Sequence, residues 1–132
     1  MSQENVDLVR SIYADWERGD HGSADWADRE IEFVIADGPE PGKWTGLPAM
    51  SRAWRNSFLG DVEDIGTFAE GYRELDDERV LVPTRYSARG RASGVTVDAR
   101  GAIIFYIGNG KVNRLVRYWD RDRALADLGL EE

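Results

Sequence analysis

A carboxylate, two cations and a set of aromatic residues are placed so that they could act together on one small molecule. Asp37 follows Ile31, Phe33 and Ile35, alternate positions of one strand face, so it closes an apolar face with a carboxylate. A partly desolvated carboxylate there can act as a general base, whereas an Asp-Gly pair can also be a turn whose side chain caps its own loop. Arg117 shares strand parity with Leu115 and Trp119, and Arg100 stands just before the apolar run Ala102 to Ile107. If strand parity turns both inward, each guanidinium binds an anionic ligand group or pairs with Asp37 or Asp98, because a buried charge needs a partner. Trp16, Trp54, Phe58 and Trp119 can line a cavity or fill a core. Tyr13, Tyr86 and Trp119 keep a polar atom that needs a partner, which favours a pocket wall. The chemistry this set allows is proton transfer beside a carbonyl, with Asp37 as base and Tyr13 or Tyr86 donating to the developing oxyanion.

Other candidates have plainer readings. His21 lies between Asp20 and Gly22 in a turn and is expected at the surface; Asp120 precedes RDRALADL as a helix cap. Arg85, Arg89 and Arg91 share one parity and form a solvated or partner-facing strip. With no Cys and a single His, thiolate metal sites, disulfides, cysteine nucleophiles and a Ser-His-Asp triad are excluded or improbable, so no metal and no organic cofactor is expected. The net charge of −8 disfavours nucleic acid and anionic membranes as partners, although the basic excess is concentrated in the second half. No apolar stretch approaches the roughly 20 residues of a membrane span, and a cytoplasmic location is expected.

These residues must be positioned by a modest set of elements. The 132 residues suit one domain over the whole chain. Val6, Val9, Tyr13 and Trp16 recur at helical spacing between Ser2 and Gly19, predicting a helix over about 3–18, and a short helix is expected around Ser23 to Ala27. Glu30 to Asp37 alternates as a strand, GPEPGKWTG reads as a loop, and Leu47, Met50, Trp54 and Phe58 give a helix ending at Gly60. Strands are predicted over 64–75, 79–91, 95–107 and 111–119, antiparallel through short turns, then a capped helix from Asp120 to Gly129. The fold class is α+β, with the helices on one face of a curved antiparallel or mixed sheet that forms a cone with a ligand cavity at its open end. Because Ala102 to Ile107 is apolar on both strand faces, the convex face is expected to be covered by a second copy in a homodimer.

ENVDLVRSIYADWERGD near the start, Gly46 in the turn after the first strand, GRASGVTVD, and GKVNRLVRYWDRDRALADLGL at the end resemble the SnoaL-like branch of the nuclear transport factor 2-like superfamily. That resemblance implies the cone fold, a sheet-mediated dimer and a pocket in which related proteins carry out isomerase or polyketide cyclase chemistry. Against the ketosteroid isomerases, Asp37 with Gly46 nine residues on is similar to their general base in placement and spacing. Their second, protonated acid falls on Ala102, and their oxyanion Tyr falls on Ile12, one residue from Tyr13. Trp119 matches a pocket aromatic, and Arg117 is a departure from an apolar steroid pocket. The reading is a small-molecule pocket protein, acting by proton transfer on a hydrophobic carbonyl substrate; the alternative is a non-catalytic ligand-binding or dimeric assembly module.

Overall fold

The computed structural model describes residues 3–17, 25–37, 41–58, 62–90 and 93–130; the side chains at 16–17, 54–58, 62–67, 88 and 97 are outside this description. Its elements are α1 (Gln3–Glu17), β1 (Ala27–Ile35), β2 (Gly42–Thr45), α2 (Leu47–Phe58), β3 (Val62–Ala69), β4 (Arg73–Glu74), β5 (Arg79–Gly90), β6 (Thr96–Gly108), β7 (Lys111–Tyr118) and α3 (Arg121–Leu128). The strands form one mixed, curved, unclosed sheet in the order β2-β1-β7-β6-β5-β3, with β4 pairing the near end of β5. β5, β6 and β7 form an antiparallel meander, and β1 lies parallel to β7. The turn between β6 and β7 has positive φ at both Asn109 and Gly110, the backbone that a tight hairpin of right-handed twist requires. Pairing shifts register in β3, in β1 against β7, and between Tyr106 and Ile107 of β6; such irregularities bend a sheet.

The two faces of β6 are both buried, by different helices. Ile103, Phe105 and Ile107 join Val9, Ile12 and Tyr13 of α1 and Met50 and Ala53 of α2 in the concave core. Ala102 and Ile104 join Leu81, Val116, Tyr118 and Ala124 and Leu125 of α3 on the other side. The expected segregation of all helices to one face is therefore corrected. α3 covers the back of the sheet within one chain, so the apolar alternation of β6 does not itself demand a second copy.

Local departures are equally physical. Gly42–Thr45, read as loop from its Gly and Pro content, is an edge strand that pairs Trp44 with Phe33 and lays their rings 6.0 Å apart. The long strand expected over 64–75 breaks into β3 and β4 around Glu70 to Tyr72. Ala27, expected to end a short helix, begins β1, and Ser23 and Ala24 lie outside the described residues. The final helix forms as expected: Asp120 accepts from the Asp122 N–H, and Gly129 closes it at φ 69°.

Candidate functional site

The concave end of β5 and β7 assembles a cation with two rings. Tyr86 continues the parity of Val80 and Val82 on β5, and Arg117 that of Leu115 on β7, so both point to the α1 and α2 side. Arg117 is 4% exposed. Its Cζ lies 4.2 Å from the centre of the Trp119 ring and 5.8 Å from that of Tyr86. The two rings meet edge to face at 5.5 Å. Each such cation–ring contact contributes about 0.5–2 kcal/mol, more as water is excluded. Tyr86 is buried and Trp119 half-buried, so Trp119 is the part of the cluster nearest to solvent.

Asp37 extends the concave face of β1 and is also buried. Its Oδ1 accepts from the Trp119 N–H at 2.6 Å and its Oδ2 from the Asp120 N–H at 3.2 Å. The carboxylate thus ties the end of β1 to the β7–α3 junction and fixes the backbone that carries the Trp119 ring. Nearby, Gly101 of β6 permits a close backbone approach, because a Cβ there would run into the Tyr118 carbonyl and crowd the Thr84 hydroxyl.

The other expected site residues lie elsewhere. Tyr13 is fully buried on α1, in edge contacts with Tyr72 at 6.2 Å and Phe105 at 5.9 Å. Phe105 is opposite Val80, six positions before Tyr86, which is about 20 Å along a strand. The two tyrosines therefore belong to different levels of the cone. Arg100 does not share the cone with Arg117: it has the parity of Ala102 and Ile104, is exposed, and lies opposite Arg85 on the back of the sheet. Beside it, the Ser87 hydroxyl donates to Asp98 at 2.5 Å. Trp16 is on α1 and Trp54 and Phe58 on α2, with side chains outside the described residues, as is His21 entirely.

Sequence reading passed over Arg121, the first residue of α3. Its Nε donates to the Gly101 carbonyl at 3.1 Å, and its Nη2 to the Thr84 carbonyl at 2.7 Å and to Glu70. That hydrogen bond and the charges of Arg121, Arg100 and Arg85 hold the Glu70 carboxyl below its ordinary range, against a smaller effect of burial. On the same face, burial and a 2.8 Å hydrogen bond to Asp127 push the Tyr118 phenol up to about 12. Among the described residues no three His, Cys, Asp or Glu side chains gather as metal ligands would. No described helix is long and apolar enough to cross a membrane.

The whole architecture has solved counterparts. A candidate SnoaL-like polyketide cyclase from Mesorhizobium loti superposes with a TM-score of 0.67 at 17% identity, over 86% of this chain and 97% of its own. The fold is that of the SnoaL-like proteins. A second candidate polyketide cyclase, from Xanthomonas campestris pv. campestris, gives 0.65 at 16% identity over 91% and 93% of the two chains. A candidate isomerase from Rhodopseudomonas palustris gives 0.61 at 22% identity over 92% and 93%. No family model matches the sequence, and no curated protein does. The SnoaL-like fold supplies a scaffold on which several chemistries are carried, so function has to be argued from the residues of this chain.

Proposed function

We propose that this chain is a small-molecule pocket protein whose concave face receives the oxygen end of a largely hydrophobic carbonyl compound at Arg117. The observation that carries this reading is a guanidinium 4% exposed on the concave side, flanked by the Tyr86 and Trp119 rings. A guanidinium can lie with its faces on rings while its N–H groups point outward in its own plane toward a ligand oxygen, and the rings offer apolar walls for that ligand's carbon skeleton. The similarity to candidate cyclases and isomerases supports the same class of ligand.

Proton transfer on such a ligand is the finer reading. Asp37 would take a proton from the carbon beside the carbonyl, Arg117 and Tyr86 would stabilise the enolate oxygen, and Asp37, once its proton has exchanged with water, would protonate that carbon again. Asp37 already accepts from two backbone N–H groups. This double engagement favours binding over catalysis as its first role.

Titration with 2-tetralone, a bicyclic ketone with acidic α-protons, tests both. Arg117→Met is expected to weaken binding about tenfold or more, equivalent to about 1.4 kcal/mol; unchanged binding would remove Arg117 from the site. Deuterium incorporation from D2O faster than without protein, and slowed by Asp37→Asn, would establish proton transfer. No acceleration would leave a binder.

A further inference from the structure

A cavity lies on the opposite face of the sheet, away from the concave cluster. It has a volume of about 200 Å³ and is lined by Arg73, Leu81, Pro83, Ala102, Arg121 and Leu125. Its origin is the break between β3 and β4. Glu70 still reaches β5 through its N–H to the Pro83 carbonyl, and Arg73 resumes pairing at Leu81, so the back of β5 is left open between them. Arg121 and Leu125, one turn apart on α3, form the opposite wall.

The lining divides by chemistry. Leu81, Ala102 and Leu125 are buried apolar residues, and Pro83 adds a ring with no N–H. Arg73 and Arg121 supply the polar atoms. Among the described residues Arg121 directs Nε and Nη2 at protein oxygens, and Nη1 keeps two N–H groups for another acceptor. Glu70 is the carboxylate already drawn to this edge, and Arg121, Arg100 and Arg85 all act on it. With Arg73 and Arg121 both in the lining and Glu70 the carboxylate paired with Arg121, cations outnumber anions at the cavity and favour an anionic ligand despite the net −8 of the chain. Size restricts the rest of the ligand, since a dry apolar cavity of about 150 Å³ accommodates benzene.

We propose that this cavity is a binding site for a monocyclic aryl carboxylate, its ring on Leu81, Pro83, Ala102 and Leu125 and its carboxylate between Arg73 and Nη1 of Arg121. The site is independent of the concave cluster and of what that cluster does.

The test is a titration of the full chain with phenylacetate, followed through backbone amide resonances. Saturable shifts are expected at Leu81, Ala102 and Leu125, with the neutral phenylacetamide about tenfold weaker for loss of the charge-assisted pair. Arg73→Gln, at an exposed position, is expected to weaken phenylacetate about tenfold, and Leu125→Trp to abolish binding by filling the space. Arg117→Met should leave this titration unchanged. Shifts centred on Tyr86 and Trp119, no saturation at millimolar phenylacetate, or full affinity in folded Arg73→Gln would overturn the proposal.

Discussion

Two arginines on opposite faces of the same sheet are held in opposite ways. Arg117, on the concave face, lies against the π faces of Trp119 and Tyr86. Arg121, on the back, donates to the carbonyls of Gly101 and Thr84 and to Glu70. Oxygen acceptors fix a guanidinium in direction as well as position, because its planar fork has to match them. Ring faces hold a cation with far less directional demand. The back therefore resembles a joint and the concave face a socket. Only a few backbone positions separate them: Gly101 and Thr84, which receive Arg121, are paired across β5 and β6.

The sharpest way to break this comparison is at that shared point. Gly101→Ala forces a methyl group against the Tyr118 carbonyl, and should destabilise the chain by about 3 kcal/mol, seen as a large fall in thermal midpoint. A midpoint close to wild type would mean that the two strands part easily there. Arg121→Lys comes next. One ammonium cannot span acceptors on two strands and Glu70, and a loss of about 2 kcal/mol in urea unfolding is expected, well beyond that of Glu70→Gln. Equal losses would show that the carboxylate alone matters and the joint is illusory.

Asp37→Asn places an amide group among two donors, Trp119 N–H and Asp120 N–H, and should cost about 1–2 kcal/mol. Broadening of the Trp119 indole resonance would accompany it if the socket depends on this tie. Tyr118 sharpens the comparison through pH. Its phenol is raised to about 12 in the folded chain, so the folded state holds the proton more tightly than the unfolded state. Stability from this group is fully present below about pH 10 and is lost as pH rises from there towards 12. Tyr118→Phe should lower stability by about 1 kcal/mol at neutral pH and flatten that alkaline decline.

The smallest effect is expected at Glu70. Its carboxyl is lowered by the Arg121 hydrogen bond, so its contribution is present above the ordinary carboxylate range and lost as pH falls through the lowered value. As a half-exposed pair it should contribute less than about 1 kcal/mol, and Glu70→Gln should remove only the acid limb of the stability profile.

Much of this was legible in the chain, for reasons that particular residues show. Asp120 and Gly129 bracket α3 because their side chain and missing side chain solve local problems, and local problems are visible in sequence. Asp37 was found because Ile31, Phe33 and Ile35 declare one face. Arg100 was misplaced because β6 is apolar on both faces, so alternation carries no sign of which side is concave. α3 was put on the wrong face for the same reason: an amphipathic stripe tells what is buried, not against which surface. β2 hid among glycines and prolines, its cue being only Trp44. Arg121 gives no signal in the sequence, since the carbonyls it reaches are 20 and 37 residues away.

The parallel pairing of β1 with β7 has a consequence for how the chain comes to be folded. Asp37 is 82 residues from Trp119, yet its carboxylate and the Ala36 N–H, which donates to the Arg117 carbonyl at 2.9 Å, both close on the last strand. A strand made early thus waits for its neighbour until β7, with Trp119 just after it and 82 residues beyond Asp37, has emerged. Closing so long a loop costs entropy before any contact repays it, and non-local pairing of this kind slows folding. The meander of β5, β6 and β7, joined by short turns, can form ahead of it, and the arrival of β1 completes the sheet. Refolding should accordingly show early protection of amides in β6 and late protection at Phe33 and Ile35, which makes the tie at Asp37 one of the last parts of the molecule to set.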